Sequence, residues 1–211
     1  MVITYQGGEC FKVSFGDTTL AFNPISKDSK LPSTKFGSDI VLSTLADPDM
    51  NGVENASFGE RAPFVVSGPG EYEIKDIVIK GFASESDYKK KGRKNTIYFI
   101  SLEGMNLCFL GALSTPDLPQ DAKQELEDVD ILFTPIGGEG VLDAADAYKL
   151  AVKLEPHVVI PMHWGAIEGS KEVALKDFLK ESGESVKPIE KLTLKKKDLE
   201  EKEGEIIVLS V

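Results

Sequence analysis

The feature that most constrains this chain is a change of rhythm near its middle. As far as about residue 110 the sequence is a succession of short segments rich in Val, Ile, Phe and Thr, broken by Gly, Pro, Asp and Asn, the signature of strands and turns. The segments are Val2 to Tyr5, Cys10 to Phe15, Thr18 to Phe22, Asp39 to Thr44, Phe64 to Ser67, Glu71 to Lys80, Thr96 to Leu102 and Leu107 to Leu110. Beyond them, strand-like runs at Asp130 to Thr134 and Val158 to Pro161 alternate with helical patterns. Leu142 to Glu155 places Ala147, Leu150, Ala151 and Leu154 on one helical face, with Asp143 as N-cap and Pro156 as stop. A second helix is expected from about Ser170 to Ser182, and a last strand from Ile206 to Val211. Meanders followed by β-α-β alternation call for sheet faces covered by helices, a layered α/β domain. No repeat and no long linker divides the chain, so residues 1–211 are expected to form one domain.

Charge and cysteine usage narrow the partners. A net charge of −11 works against an extended polyanion, since each phosphate contact needs a Lys or Arg. Nucleic acid is therefore disfavoured, and a small molecule or a protein is the expected partner, with homo-oligomerisation an open possibility. Cys10 and Cys108 sit in apolar strand segments without CxxC spacing and read as small core residues. No run of about 18 apolar residues is present, and the opening Met1-Val2-Ile3-Thr4-Tyr5 lacks the pattern of a secretion signal, so a cytoplasmic protein without membrane contact is expected.

Several phrases, in order and spacing, resemble one branch of the metallo-β-lactamase superfamily, the hydrolases related to ascorbate-6-phosphate lactonase. They are Met1 to Phe11, Leu20-Ala21-Phe22-Asn23-Pro24, Gly68-Pro69-Gly70-Glu71-Tyr72-Glu73-Ile74, Arg93 to Tyr98, Asp128 to Gly138, Leu142 to Ala147 and Val159-Ile160-Pro161-Met162-His163-Trp164. The resemblance implies a four-layer αββα sandwich with the active site at one edge. It also implies a His-x-His-x-Asp-His loop after the fourth strand, whose imidazoles and carboxylate serve two zinc ions.

Here that loop is Leu45-Ala46-Asp47-Pro48-Asp49-Met50. Carried over residue by residue, Asp49 matches the family's aspartate and Asp47 puts a carboxylate where a histidine belongs. The next ligand histidine falls near Ser86-Asp87, the bridging aspartate on Ala112, and the last histidine survives as His163. Five of seven ligand positions are thus Leu45, Asp47, Met50, Ser86 and Ala112, leaving Asp47, Asp49 and His163 as a vestigial metal set. A catalytic zinc takes about three protein ligands plus water, so no metal cofactor is expected, or at most one weakly held Zn, Mn or Mg. The first expectation is a non-catalytic binding or scaffold module in which Asp49 and His163 form a hydrogen-bonded brace. The alternative is a hydrolase of a small lactone or phosphodiester with a one-metal site at Asp47, Asp49 and His163, Asp49 being the catalytic candidate.

Three further features have open readings. Lys89, Lys90, Lys91, Arg93 and Lys94 either grip a phosphate or acidic surface or form a solvated loop, and an RNA-processing role would rest on them alone. Trp164 either lines the old pocket or packs at the core edge. No Gly-x-Ser-x-Gly elbow supports a serine nucleophile at Ser43, Ser86 or Ser114.

Overall fold

The computed structural model describes residues 1–59, 62–165 and 172–211. Nine strands come first: β1 (Val2–Tyr5), β2 (Phe11–Phe15), β3 (Thr18–Phe22), β4 (Ile40–Leu42), β5 (Phe64–Val66), β6 (Gly70–Ile74), β7 (Ile77–Ser86), β8 (Arg93–Leu102) and β9 (Met105–Phe109). Then follow α1 (Gln120–Glu125), β10 (Ile131–Pro135), α2 (Ala144–Leu154), β11 (Val158–Met162), α3 (Glu172–Ser182), β12 (Leu192–Thr193) and β13 (Glu205–Ile206). One mixed sheet has the order β12-β1-β2-β3-β4-β5, the other β13-β11-β10-β9-β8-β7-β6.

The sheets face each other across a core that contains Ile3, Phe11, Leu20, Phe22, Ile40, Tyr98, Phe109 and Phe133. Its centre is aromatic: Phe11 meets Phe133 edge-on at 5.0 Å and Phe22 meets Phe109 at 4.8 Å, contacts of about 0.5–1.5 kcal/mol each beyond the area they bury. The three helices lie on the outer face of the second sheet, where Ala122, Ala147, Leu150, Ala151 and Phe178 pack against Cys108, Leu110, Leu132 and Val159. Residues of β10 and β11 are buried throughout because they are covered on both faces, which explains why all of them but Thr134 are apolar. The outer face of the first sheet is covered more thinly: Ala21 and Val41 pack under Phe36, Val53 and Ala56 of the connecting loops.

The two-sheet α/β sandwich agrees with the sequence-based expectation; several boundaries do not. Glu71 to Lys80, expected as one strand, is a hairpin that turns at Lys75 and Asp76, both with positive φ (53° and 63°). Its apolar alternation runs through the turn without a glycine to mark it. The final strand pairs only over Glu205–Ile206, with a bridge from Leu209 to Ile189. In α2, Asp143 caps the N-terminus by accepting from the Asp146 amide at 2.9 Å, and the chain turns left-handed at Glu155 before Pro156. The expected start of the second helix at Ser170 lies outside the described residues. Cys10 and Cys108 are buried and unpaired in a disulfide, and burial pushes the Cys10 thiol up to about 12.

Candidate functional site

One end of the sandwich gathers the turn after β1 and the loops after β3, β4, β7, β9 and β11. Carboxyl ends of neighbouring parallel strands are where α/β sheets leave room for a site. Two polar groups form there.

The first is centred on His163, which is fully buried and left-handed (φ 60°), its amide held by Gly8 O at 2.8 Å. Its Nδ1 lies 2.6 Å from Glu9 Oε1. The other Glu9 oxygen accepts from Asn23 Nδ2 at 2.8 Å, and Asn23 also bonds Thr44 through both ends of its amide. Glycines at 7 and 8, both with positive φ, turn the backbone so that Glu9 points inward. The remaining ring nitrogen, Nε2, has no hydrogen-bond partner among the described residues, and the ring stands perpendicular to that of Tyr88 at 5.0 Å.

The second group is an acidic pair with its own cations. Lys89 Nζ bridges Asp47 Oδ1 at 2.7 Å and Asp49 Oδ2 at 2.5 Å. Arg93 reaches Asp47 Oδ2 at 2.8 Å and the Ala46 carbonyl at 2.6 Å. Asp49 also accepts from the Tyr88 hydroxyl at 2.7 Å and from Ser29 Oγ. Burial alone would raise both carboxyls, but the hydrogen bonds and charge of Lys89, with Arg93 on Asp47 and Ser29 and Tyr88 on Asp49, hold them below the usual carboxylate range. Burial and the bond to Asp49 push the Tyr88 phenol upward.

Beside these groups lies a small apolar cluster in which Leu45, Met50 and Ala112 pack with Tyr88 and Val141. Ser86 is buried and accepts from the Tyr88 amide at 3.2 Å, while the Ala112 amide donates to Asn95 Oδ1 at 3.1 Å. The sequence-derived set is therefore split. Asp47 and Asp49 share one lysine, whereas His163 pairs with Glu9, so the expected Asp49–His163 brace is replaced by two braces that meet at Tyr88. Lys89 and Arg93 of the basic loop grip the protein's own acidic pair.

Sequence reasoning missed Glu9, Asn23 and Tyr88. The glycine pair before Glu9 and the Asn23-Pro24 step were the available signals, and Tyr88 had none. Trp164 packs at the core edge, stacked on Tyr5 at 5.9 Å with its indole nitrogen donating to Pro161 O at 3.1 Å. His157 lies away from the site, with Nδ1 2.7 Å from Lys202 O.

Comparison with known proteins adds an independent line. Residues 2–163 match the family described as Beta-lactamase superfamily domain. A UPF0173 metal-dependent hydrolase from Natranaerobius thermophilus is 25% identical over 84% of this chain and 91% of its own length. Another from Listeria monocytogenes is 25% identical over 78% and 85%. Among solved structures, a Thermotoga maritima protein described as a Zn-dependent hydrolase of the metallo-β-lactamase superfamily superposes with a TM-score of 0.79 at 26% identity, covering 99% of this chain and 97% of that one. Igni18, a metallo hydrolase from Ignicoccus hospitalis, shares the fold with a TM-score of 0.68 at 20% identity, covering 99% and 94%.

Proposed function

We propose, since this chain belongs to the β-lactamase superfamily, that it is a non-hydrolytic member of a metal-dependent hydrolase family and works as a binding or scaffold module for a small molecule or a protein. The observation that supports this reading is the apolar cluster of Leu45, Met50, Tyr88, Ala112 and Val141, in which Leu45, Met50 and Ala112 are the residues that the resemblance matches to metal ligands.

The family implies a metal, and the donors present do not fit one. Leu45 and Ala112 offer no lone pair in their side chains, and the Met50 thioether is a weak acceptor. Asp47 and Asp49 are already neutralised by Lys89 and Arg93. Among the described residues, no group of three or more His, Cys, Asp or Glu side chains is arranged to hold an ion. Activation of water by a bound metal therefore has no counterpart in these residues. Likewise, no helix among them is long and apolar enough to cross a membrane.

A second reading, a one-metal hydrolase, draws on the unpartnered Nε2 of His163. Elemental analysis of tag-free protein, combined with a panel of lactones and phosphodiesters in the presence of Zn²⁺ or Mn²⁺, separates the two. The expected result is far less than one metal per chain and no turnover. Stoichiometric metal with activity abolished by Asp49→Ala and His163→Ala would establish the hydrolase instead.

A further inference from the structure

We infer that Lys89 is a tethered counter-ion: its ammonium stands between Asp47 and Asp49 in place of a divalent cation and fastens the loop after β7 to the loop after β4. The inference rests on the metal-free reading of the native site and adds to it what balances the charge there.

Four observations converge. A single Nζ bridges the two carboxylates, at 2.7 Å and 2.5 Å, as a shared cation would. With Arg93 on the second oxygen of Asp47, two positive charges face two negative ones, the balance that one divalent ion supplies. Both carboxylates are almost buried, their side chains 7% exposed, so without a cation their desolvation would be met by neutral hydrogen bonds alone, from Tyr88 and Ser29 to Asp49 and from the Asp49 amide to Asp47. Finally, Lys89 has a left-handed backbone (φ 58°), a conformation that a residue with a Cβ holds only where its surroundings impose it. Here the surroundings are specific: the turn sends Tyr88 inward to Asp49 and brings the Lys89 stem over the Tyr88 ring, with Nζ 5.0 Å from its centroid.

The lysine side chain is 47% exposed, so it reaches the pair from the solvent side and can be cut back without opening the main core. A folded variant lacking it leaves an oxygen-rich, negatively charged niche suited to Mg²⁺ or Mn²⁺, which accept oxygen ligands and retained waters. Thermal unfolding in EDTA, then in each metal, with elemental analysis of the dialysed protein, tests this on the full-length chain. Wild type is expected to unfold at one temperature in all conditions. Lys89→Ala is expected to lose roughly 3–8 °C in EDTA, a range discounted for the exposure of the lysine, and to regain most of it with bound metal. Lys89→Arg, which keeps the charge, should stay near wild type.

Should Lys89→Ala fail to fold, Lys89→Met, which keeps the stem, is read in the same way. A neutral variant as stable as wild type in EDTA, one that folds but ignores both metals, or a Lys89→Arg protein as weakened as Lys89→Met overturns the inference while leaving the metal-free reading in place. Stoichiometric metal on the wild-type protein overturns both.

Discussion

At the scale of single residues, the site is held by charge, and charge responds to pH. Asp47 and Asp49 titrate below their ordinary range in the folded protein, so their contribution to stability is present above about pH 4 and is lost as the pH falls through the depressed folded values. Lys89 is displaced the other way: burial lowers it, its bonds to Asp47 and Asp49 more than offset that, and its share is kept until the pH rises through a folded value above the usual lysine range. Replacing Lys89 by Met should raise both carboxyls, so the acid limb of the melting-temperature profile is expected to move to higher pH; an unchanged limb would show that the ion pairs carry little. That Leu45 and Ala112 offer no side-chain lone pair and Met50 only a weakly accepting thioether was legible in the sequence, because side-chain chemistry is the same in any fold. The pairing of His163 with Glu9, 154 residues apart, was not, because only the closed sandwich brings the β1–β2 turn beside the end of β11.

At the scale of elements, alternation and capping were readable where the signal is local. Asp143, Pro156 and the two-residue turn between β2 and β3 all stand where the sequence placed them. The Lys75-Asp76 turn escaped because neither residue is one that favours positive φ as glycine does. The turn between β8 and β9 uses Glu103 and Gly104, with φ of 55° and 67°. Such a pair favours Asn-Gly, because asparagine tolerates the left-handed region better than glutamate. Glu103 is exposed, so Glu103→Asn is expected to raise stability by a few tenths of a kcal/mol in denaturant titration, with no change in slope. A loss of stability would mean that Glu103 makes a contribution other than turn geometry.

At the scale of the whole molecule, the sandwich isolates its interior from solution chemistry. Both cysteines are buried, and burial raises each thiol, so neither presents a thiolate at neutral pH. A disulfide reagent such as Ellman's should find no reactive thiol in the native protein and two per chain in denaturant; rapid native reaction at Cys108 would imply that the helical layer opens readily. That layered architecture was the most legible property of all, since it follows from the order of strand and helix patterns, whereas the two-residue strand β12 left no pattern long enough to see and β13 overlaps the expected strand from Ile206 to Val211 only at Ile206. Yet those two short pieces complete both sheets, β12 beside β1 and β13 beside β11. During synthesis the amino-terminal strand must leave the ribosome with one edge bare and wait for most of the protein to follow. The sandwich is sealed late, and until then that edge is open to pairing with another strand.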